Sequence, residues 1–355
     1  SMPAPGFDEA QRGQPNGFIG EVDIMDTWAT SSLTPQIAAK WEDDPELFGL
    51  VFPYDLRSQG QDIIRTWLFS TVLRAELEHG TLPWKHAGIS GFIIDPDRKK
   101  MSKSKGNVVT PAAMLDEHGS DAVRYWAASS RLGTDAAFDP QNPKQMKIGR
   151  RLAIKVLNAA KFVYSFEAPA GAASGADAVT EPLDIDMLAT LGEVVAIATR
   201  AYEEYDHARA LEVTEQFFWT FTDDYLELVK ERAYGSQGEA GQASAVTALQ
   251  LAIDVFLRLF APVIPFATEE VWSWTHAGTS VHRAPWPTVA ELGVDAQHGG
   301  LLPLVSEALI GIRRAKTDAK ASQKTPVTRA VIAGPALLEH AAADLAAVGR
   351  IAQLT

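Results

Sequence analysis

Long amphipathic segments fill the second half of the sequence and constrain its fold more than any other feature. Apolar residues recur at helical spacing in four such segments, at 147–166, 184–205, 207–234 and 243–259. Loops are predicted between them at 168–180 and 235–244, where Ala, Gly and Ser are frequent. Because an amphipathic helix buries its apolar stripe against other helices, the pattern predicts an all-α helical bundle.

A lysine-containing loop is predicted in the first half of the chain. Residues 62–78 have the spacing of a helix, residues 88–94 read as a strand, and Asp95-Pro96-Asp97-Arg98 is typical of a turn. The run Lys100-Met101-Ser102-Lys103-Ser104 follows that turn. Two ammonium groups and short hydroxyls on a loop beside a sheet suit a triphosphate whose charge grows on the departing pyrophosphate. The alternative is a solvated basic loop.

Length and composition limit the number of domains and the kinds of site that the chain can contain. The chain of 355 residues is 46% hydrophobic, carries a formal net charge of -13 and contains no cysteine. It is therefore long enough for two or three domains, and it has no disulfides or thiolate metal sites. We expect a soluble, cytoplasmic protein that has no membrane partner and no bound metal. The net charge disfavours nucleic-acid binding, but local basic clusters can still hold a phosphate backbone.

Three basic clusters interrupt the acidic background. The first spans residues 98–105, and the others comprise Lys144, Lys147, Arg150, Arg151, Lys155 and Lys161, and then Arg313, Arg314, Lys316, Lys320, Lys324 and Arg329. For the last two, a phosphate-binding surface and an ordinary solvated helix face are equally good interpretations.

Two further motifs precede the lysine loop. The first is the acidic, hydroxyl-rich run Asp26-Thr27-Trp28-Ala29-Thr30-Ser31-Ser32-Leu33, and the second is Gly60-Gln61-Asp62-Ile63-Ile64-Arg65-Thr66-Trp67. Glycine permits close approach of the backbone to a ligand, and an aspartate at a helix start either accepts from ligand hydroxyls or caps the helix.

The lysine-loop string is identical to the KMSKS signature of the class I aminoacyl-tRNA synthetases, and nearly the whole chain resembles that family. The three motifs occur in the order found in the valyl-tRNA synthetases, and residues 59–67 are similar to archaeal and actinobacterial members. Residues 117–124, 157–162 and 262–272 continue the similarity.

The resemblance implies roles for individual residues. Trp28 and Trp67 match the two tryptophans that wall the valine pocket, although most tryptophans are simply core aromatics. Gly60 and Asp62 match the segment that contacts the adenosine ribose. The implied ATP-binding loop comprises Lys100, Met101, Ser102, Lys103 and Ser104, with Lys100 and Lys103 as the catalytic lysines. ATP is implied as a substrate, with Mg²⁺ expected.

The resemblance also implies the domain plan. We expect a loop or linker at 1–20, the second, α/β half of a Rossmann-like catalytic domain at 21–135, an anticodon-binding helical bundle at 140–295, and the start of a small α/β C-terminal segment at 296–355. The segment at 302–321 is predicted to be helical, 328–333 a strand, and a final helix follows.

The other signature of this class, His-Ile-Gly-His, is absent from the sequence, as is the editing insertion that precedes the first motif in the family. We therefore expect a C-terminal portion of a valine–tRNA ligase that binds tRNA-Val but does not activate valine alone. A non-catalytic tRNA-binding module is the alternative.

A different type of nucleotide-binding protein is disfavoured. The sequence has no GxxxxGK[ST] loop and no GxGxxG turn. Asp223 and Asp224, near Glu227, could suggest a magnesium site, but a solvated acidic helix face is the better interpretation.

Overall fold

The structure is a computed structural model that describes residues 5–23, 26–102, 106–108, 110–170, 175–294 and 300–355. Its contacts divide the chain into two compact units, and the division falls between Phe92 and Ile93. The domain plan predicted from the sequence, with a boundary near residue 135, stays a prediction.

The first unit is built around a βαβ motif. Its elements are α1 (Thr27–Ser31), α2 (Thr34–Ala38), α3 (Pro45–Val51), β1 (Tyr54–Gly60), α4 (Phe69–His79) and β2 (Trp84–Ser90). Strands β1 and β2 pair in parallel, from Tyr54 opposite Trp84 to Gly60 opposite Ser90. Parallel neighbours need a crossover connection, and here α4 supplies it.

The helix predicted at 62–78 begins with two irregular turns, the first tighter and the second wider than a turn of α-helix. A 3₁₀ turn covers Gln61–Ile63, a π turn covers Ile64–Leu68, and α4 follows directly. The helix ends at Gly80, whose φ of 64° is a left-handed conformation that glycine adopts without strain. Asp62 and Trp67 therefore lie on the irregular turns that join β1 to α4.

The second unit is mostly helical. Its first elements are β3 (Ile93–Ile94), α5 (Ala112–His118), α6 (Ser120–Ala128) and β4 (Ala136–Ala137). The helical bundle comprises α7 (Lys144–Val163), α8 (Pro182–Glu203), α9 (His207–Thr220), α10 (Leu226–Ala233), α11 (Gly238–Phe260), α12 (Pro265–Thr275) and α13 (Leu301–Asp318). The C-terminal segment adds β5 (Val327–Ala330), α14 (Ala342–Gly349) and β6 (Ile351–Leu354).

The structure corrects several predicted boundaries. The helix predicted at 207–234 is interrupted by a π turn at Phe221–Tyr225. The loop predicted at 235–244 is wrong, because α11 already begins at Gly238 and Glu239, Ala240 and Gln242 favour helix. Strand β6 was not predicted, and it pairs in parallel with β5.

The bundle core is aromatic at its centre. Phe218 lies 5.1 Å from Phe256 and 5.4 Å from Phe260 between ring centroids, with the rings edge to face. Helix α11 is long and apolar enough to cross a membrane, but 78% of its most apolar window is buried in the protein. It is therefore the central helix of the bundle core.

A buried ionic network connects the bundle to the C-terminal segment. Arg232 on α10 is 1% exposed and donates to Asp184 on α8 and to Asp344 on α14. Tyr225 and Ser244 also donate to Asp184, at 2.7 and 2.6 Å. Buried charges are tolerated only when they are paired and hydrogen-bonded, so this network fixes four helices relative to one another.

Candidate functional site

The lysine loop is braced by two side chains, Asp95 and Asn107. One Asp95 oxygen accepts from the Lys99 backbone N–H at 2.7 Å, and the other accepts from the Asn107 amide at 2.8 Å. The Asn107 carbonyl in turn accepts from the Ser102 backbone N–H at 2.9 Å. The hydrogen bond from the Lys99 backbone, and after it the bond from the Asn107 amide, hold the pKa of Asp95 below its usual value. The two ends of the loop are thereby tied together.

The described part of the loop presents one cation and packs one partly buried apolar residue against the protein. Lys100 is exposed and pairs in a β-bridge with Ile94. Met101 packs against a small cluster that includes Met114 and Phe138. Ser102 is half-buried. Lys103 and Ser104, both predicted to belong to the ATP-binding loop, lie outside the described residues.

Gly60 and Asp62 are brought close together at the end of β1. A Cβ built on Gly60 would lie 2.9 Å from the Asp62 carboxylate. Any larger residue at 60 would push that side chain away. Asp62 is exposed at the start of the 3₁₀ turn, where it is accessible to a ligand hydroxyl.

Trp67 is held from several directions. Its ring is 3% exposed, lies nearly parallel to Trp84 at 5.8 Å, and has the Arg57 guanidinium 3.8 Å from its centroid. Its indole N–H donates to the Ser31 carbonyl at 2.8 Å, which ties it to the end of α1. Trp28, on the same short helix, is half-buried. The structure therefore places α1, which carries Trp28, beside Trp67.

The predicted site residues divide between the two units. Trp28, Gly60, Asp62 and Trp67 belong to the first unit, and Lys100, Met101 and Ser102 belong to the second. Three residues that sequence reasoning did not single out support them, namely Arg57, Trp84 and Asn107. Asn107 had a signal in the sequence, because it stands directly after the glycine that closes the lysine run.

The second basic cluster forms a stripe on α7. Lys144, Lys147, Arg151 and Lys155 recur every three or four residues, which places them on one face of the helix. Arg151 and Lys155 lie 5.2 and 5.7 Å from the ring of Trp219. Lys155 also pairs with Asp223 at 2.8 Å. We call these four residues the α7 stripe.

The third basic cluster is only partly a surface. Lys316 is 5% exposed and donates to the carbonyls of Gln323 and Gly349, so it serves to fasten the C-terminal segment. Burial lowers the pKa of Lys316. Arg313 pairs with Asp224 at 3.1 Å. The interpretation of Asp223 and Asp224 as a magnesium site is not supported by these pairings, which engage both carboxylates with cations.

Comparison with known proteins identifies both parts of the chain. Residues 10–139 match the model for class I tRNA synthetases (I, L, M and V), and residues 184–332 match the anticodon-binding domain of tRNA ligases. The chain belongs to the class I tRNA synthetases. The predicted resemblance to their valyl members is confirmed by relatives that align over the full chain.

Two actinobacterial relatives show the extent of the similarity. The valine–tRNA ligase of Leifsonia xyli is 66% identical over 359 residues, and that of Thermobifida fusca is 60% identical over 361 residues. Each alignment covers all of this synthetase chain but only 41% and 40% of the respective relative. The chain thus spans about two fifths of the length of the curated relatives it matches.

Solved structures support the fold. A leucyl-tRNA synthetase from Agrobacterium radiobacter, in a ternary complex with tRNA and LeuAMS, has a TM-score of 0.61 and 22% identity, covering 78% of this chain and 34% of its own. The Mycobacterium tuberculosis methionyl-tRNA synthetase bound by methionyl-adenylate has a TM-score of 0.53 and 24% identity, covering 69% and 49%. At this identity the likeness shows the fold alone.

Proposed function

We propose that this chain is the lysine-loop and anticodon-binding portion of a valine–tRNA ligase, which uses ATP to activate valine and transfers it to tRNA-Val. The observation that carries the proposal is the alignment of the entire chain with valine–tRNA ligases at 60–66% identity. The parallel β1–α4–β2 motif supports the finer proposal that the α/β part is half of a Rossmann-like nucleotide-binding fold.

The proposed chemistry is attack of the valine carboxylate on the α-phosphate of ATP, with pyrophosphate as the leaving group. Lys100 and Lys103 would stabilise the charge that develops on the phosphates, and the Asp95–Asn107 brace would position their loop. No side chain need act as a nucleophile, since orientation and charge stabilisation suffice.

Magnesium is proposed to accompany the ATP. Among the described residues no group of three or more His, Cys, Asp or Glu side chains could hold a metal ion. Mg²⁺ is commonly bound through substrate phosphates together with one or two carboxylates. The residues present therefore fit an ion that arrives with ATP rather than one held in a protein cage.

The valine pocket and ribose contact are proposed for the first unit. Trp67 is rigidly oriented by Ser31, Trp84 and Arg57. Because its ring is only 3% exposed, the motif match rather than exposed ring surface supports its proposed role as a pocket wall. Trp28, on the helix that ends at Ser31, is proposed as the facing wall. Asp62 would accept from the ribose hydroxyls, which the bare backbone of Gly60 allows to approach.

For tRNA-Val binding, the bundle supplies the anticodon-binding domain and the α7 stripe supplies cations for the phosphate backbone. Lys144 and Lys147 are exposed, and the half-buried Trp219 near the stripe adds an aromatic surface. Phosphate contacts make affinity fall with salt, whereas base contacts make it depend on sequence.

The decisive experiment measures binding of the chain to tRNA-Val and to the same tRNA with a changed anticodon, across a salt series. We expect tight binding that is lost when the anticodon is changed. Lys147→Gln should weaken it and reduce the salt slope, whereas Lys85→Gln in the first unit, an equal loss of charge, should not. Equal, steeply salt-dependent binding to both tRNAs would contradict the proposal.

Valine-dependent exchange of pyrophosphate into ATP separates the two functional interpretations. We expect no exchange with this chain alone. Exchange that appears when the remaining part of the enzyme is added in trans would support the ligase, and tRNA binding with no exchange under any such mixture would favour the non-catalytic tRNA-binding module.

A further inference from the structure

A cavity of about 390 Å³ lies between the helical bundle and the C-terminal segment, where α10, α13 and α14 meet. Among the described residues its lining carries five cations but only two carboxylates, Glu227 and Glu231. In a chain whose formal net charge is -13, such a local excess of positive charge marks a site for an anion. We call it the cationic cavity, and its cations are Lys230, Arg313, Lys316, Lys324 and Arg350.

Two of the five cations already have carboxylate partners. Arg313 pairs with Asp224 at 3.1 Å, and Lys230 lies 3.9 Å from Glu227. The other three form no ion pair within the described part of the chain, and Glu231 is the one carboxylate of the described lining left to offset them. Three cations and one carboxylate leave an excess of two positive charges. A phosphate monoester, with about 1.5–2 negative charges at neutral pH, matches that excess.

Lys316 is a buried cation of this cavity. It is 5% exposed, and its ammonium donates to the carbonyls of Gln323 at 2.9 Å and Gly349 at 2.7 Å. An ammonium has three N–H donors, so one remains beyond these two bonds. Burial, and after it the charge of Arg350, lowers the pKa of Lys316. A buried cation normally has an anionic partner, whereas this one has a second cation beside it.

Arg350 occupies a position where glycine is the usual residue. It directly follows α14 with a φ of 51°, a left-handed conformation that is unfavourable for other residues. Its guanidinium donates to the Lys324 carbonyl at 3.3 Å, which brings together two cations that lack carboxylate partners. The five N–H donors of a guanidinium form a fork that matches phosphate oxygens. Arg350 therefore combines an unfavourable backbone with a side chain suited to phosphate.

We propose that the cationic cavity binds a small organic phosphate. The phosphate would be held by Lys316, Lys324 and Arg350, and the organic part would lie against Ile312 and Val348, two half-buried apolar residues of the same lining. The volume of the cavity falls within the range of about 300–1,000 Å³ that is typical of small-molecule sites. A polynucleotide backbone instead follows an open groove. The proposal goes beyond the ligase function and does not depend on it.

The test is isothermal titration calorimetry of the full chain with ADP, pyrophosphate and inorganic phosphate, in buffer without Mg²⁺. ADP should bind with a dissociation constant below about 1 mM, and more tightly than inorganic phosphate. Arg350→Gly should weaken ADP binding by about tenfold or more, and it should stay folded because glycine suits this backbone. The matched control is Lys320→Gly, which removes a cation from another left-handed position, with a φ of 53°, outside the cavity lining. It should leave ADP binding unchanged.

Hydrogen exchange followed by mass spectrometry locates the bound ADP. Exchange should become slower in residues 316–325 and 349–351, which surround the cavity. Protection confined to the lysine loop would overturn the proposal, as would the absence of ADP binding or equal weakening by the two glycine variants. Loss of tRNA-Val binding in Arg350→Gly, with ADP binding unchanged, would also overturn it, because the cavity would then serve an RNA backbone. Binding to tRNA-Val by the wild-type chain reports on the proposed function separately.

Discussion

The segment around α4 and the segment around α11 use helices in opposite ways. Helix α11 is buried along most of its length, and its Phe256 and Phe260 belong to a continuous aromatic core. Helix α4 buries two residues and exposes three large apolar ones. The bundle closes its own core, whereas the βαβ segment does not. The bundle can therefore be stable by itself, while the βαβ segment, which carries predicted site residues, still has uncovered apolar surface.

Unpaired buried polar atoms show the same contrast in number, because among the described residues seven lie in the first unit and three in the larger second unit. In the bundle, Arg232 is matched by two carboxylates, and both Asp184 oxygens, which accept from Arg232, also accept from the hydroxyls of Tyr225 and Ser244. In the first unit, Gln36 and Gln59 are buried without partners. A fully satisfied buried network favours one arrangement of the helices, while unsatisfied groups lower the cost of opening.

The largest effect is expected from the buried network. Asp184→Asn should lower the free energy of unfolding of the bundle by about 3–5 kcal/mol, because it leaves Arg232 with less compensating charge. Asp223→Asn, which breaks the more exposed pair with Lys155, should cost only about 0–1 kcal/mol. Urea unfolding followed by far-ultraviolet circular dichroism measures both. Equal costs would mean that the network does not hold the bundle together.

Alkaline pH should weaken the bundle through the partly buried Tyr202. Burial raises the pKa of Tyr202, whose ring lies edge to face with Trp286, to about 12. A raised folded-state pKa contributes stability that is present below pH of about 10 and lost as pH rises through the folded value. At pH 11 the wild type should lose about 1 kcal/mol that Tyr202→Phe retains. The measurement is the difference in unfolding free energy between pH 9 and pH 11 for both proteins.

Removing the Asn107 side chain should have an effect of similar size on the local stability of the lysine loop. Asn107→Ala removes the acceptor of the Ser102 amide and a donor to Asp95. Exchange of the Ser102 amide should become about tenfold faster, which corresponds to the loss of about one hydrogen bond. Asn142→Ala, outside the loop, should leave that amide unchanged. No change in the first variant would show that the brace does not order the loop.

The smallest effect is expected at the exposed apolar residues Phe69, Leu73 and Leu77 of α4. Leu77→Ser should change the stability of the isolated chain by less than about 0.5 kcal/mol, because the side chain is already exposed. Phe218→Ala in the bundle should cost about 3–5 kcal/mol. Thermal unfolding of the two variants measures the contrast. A large loss from Leu77→Ser would mean that the Leu77 side chain is covered within this chain.

Sequence periodicity predicted the bundle well, because its helices are long and each buries a continuous stripe. It failed for features that are set by contacts between distant parts of the chain. The π turn at Phe221–Tyr225 has no local signal, and Lys316 is buried only because the carbonyls of Gln323 and Gly349 lie beside it. For the site, motif order singled out Trp67 and the lysine loop, whose roles stay predictions. The neighbours that orient them, Trp84 and Asn107, follow from the fold rather than from the motifs.

Hydrogen exchange of the full chain, followed by mass spectrometry, tests the contrast between the two segments most directly. Amides of α11 should exchange only through global unfolding, and those of α4 about a hundredfold faster or more, through local opening of the first unit. Equal protection of α4 and α11 would contradict the account, because it would show that the βαβ segment is as complete as the bundle.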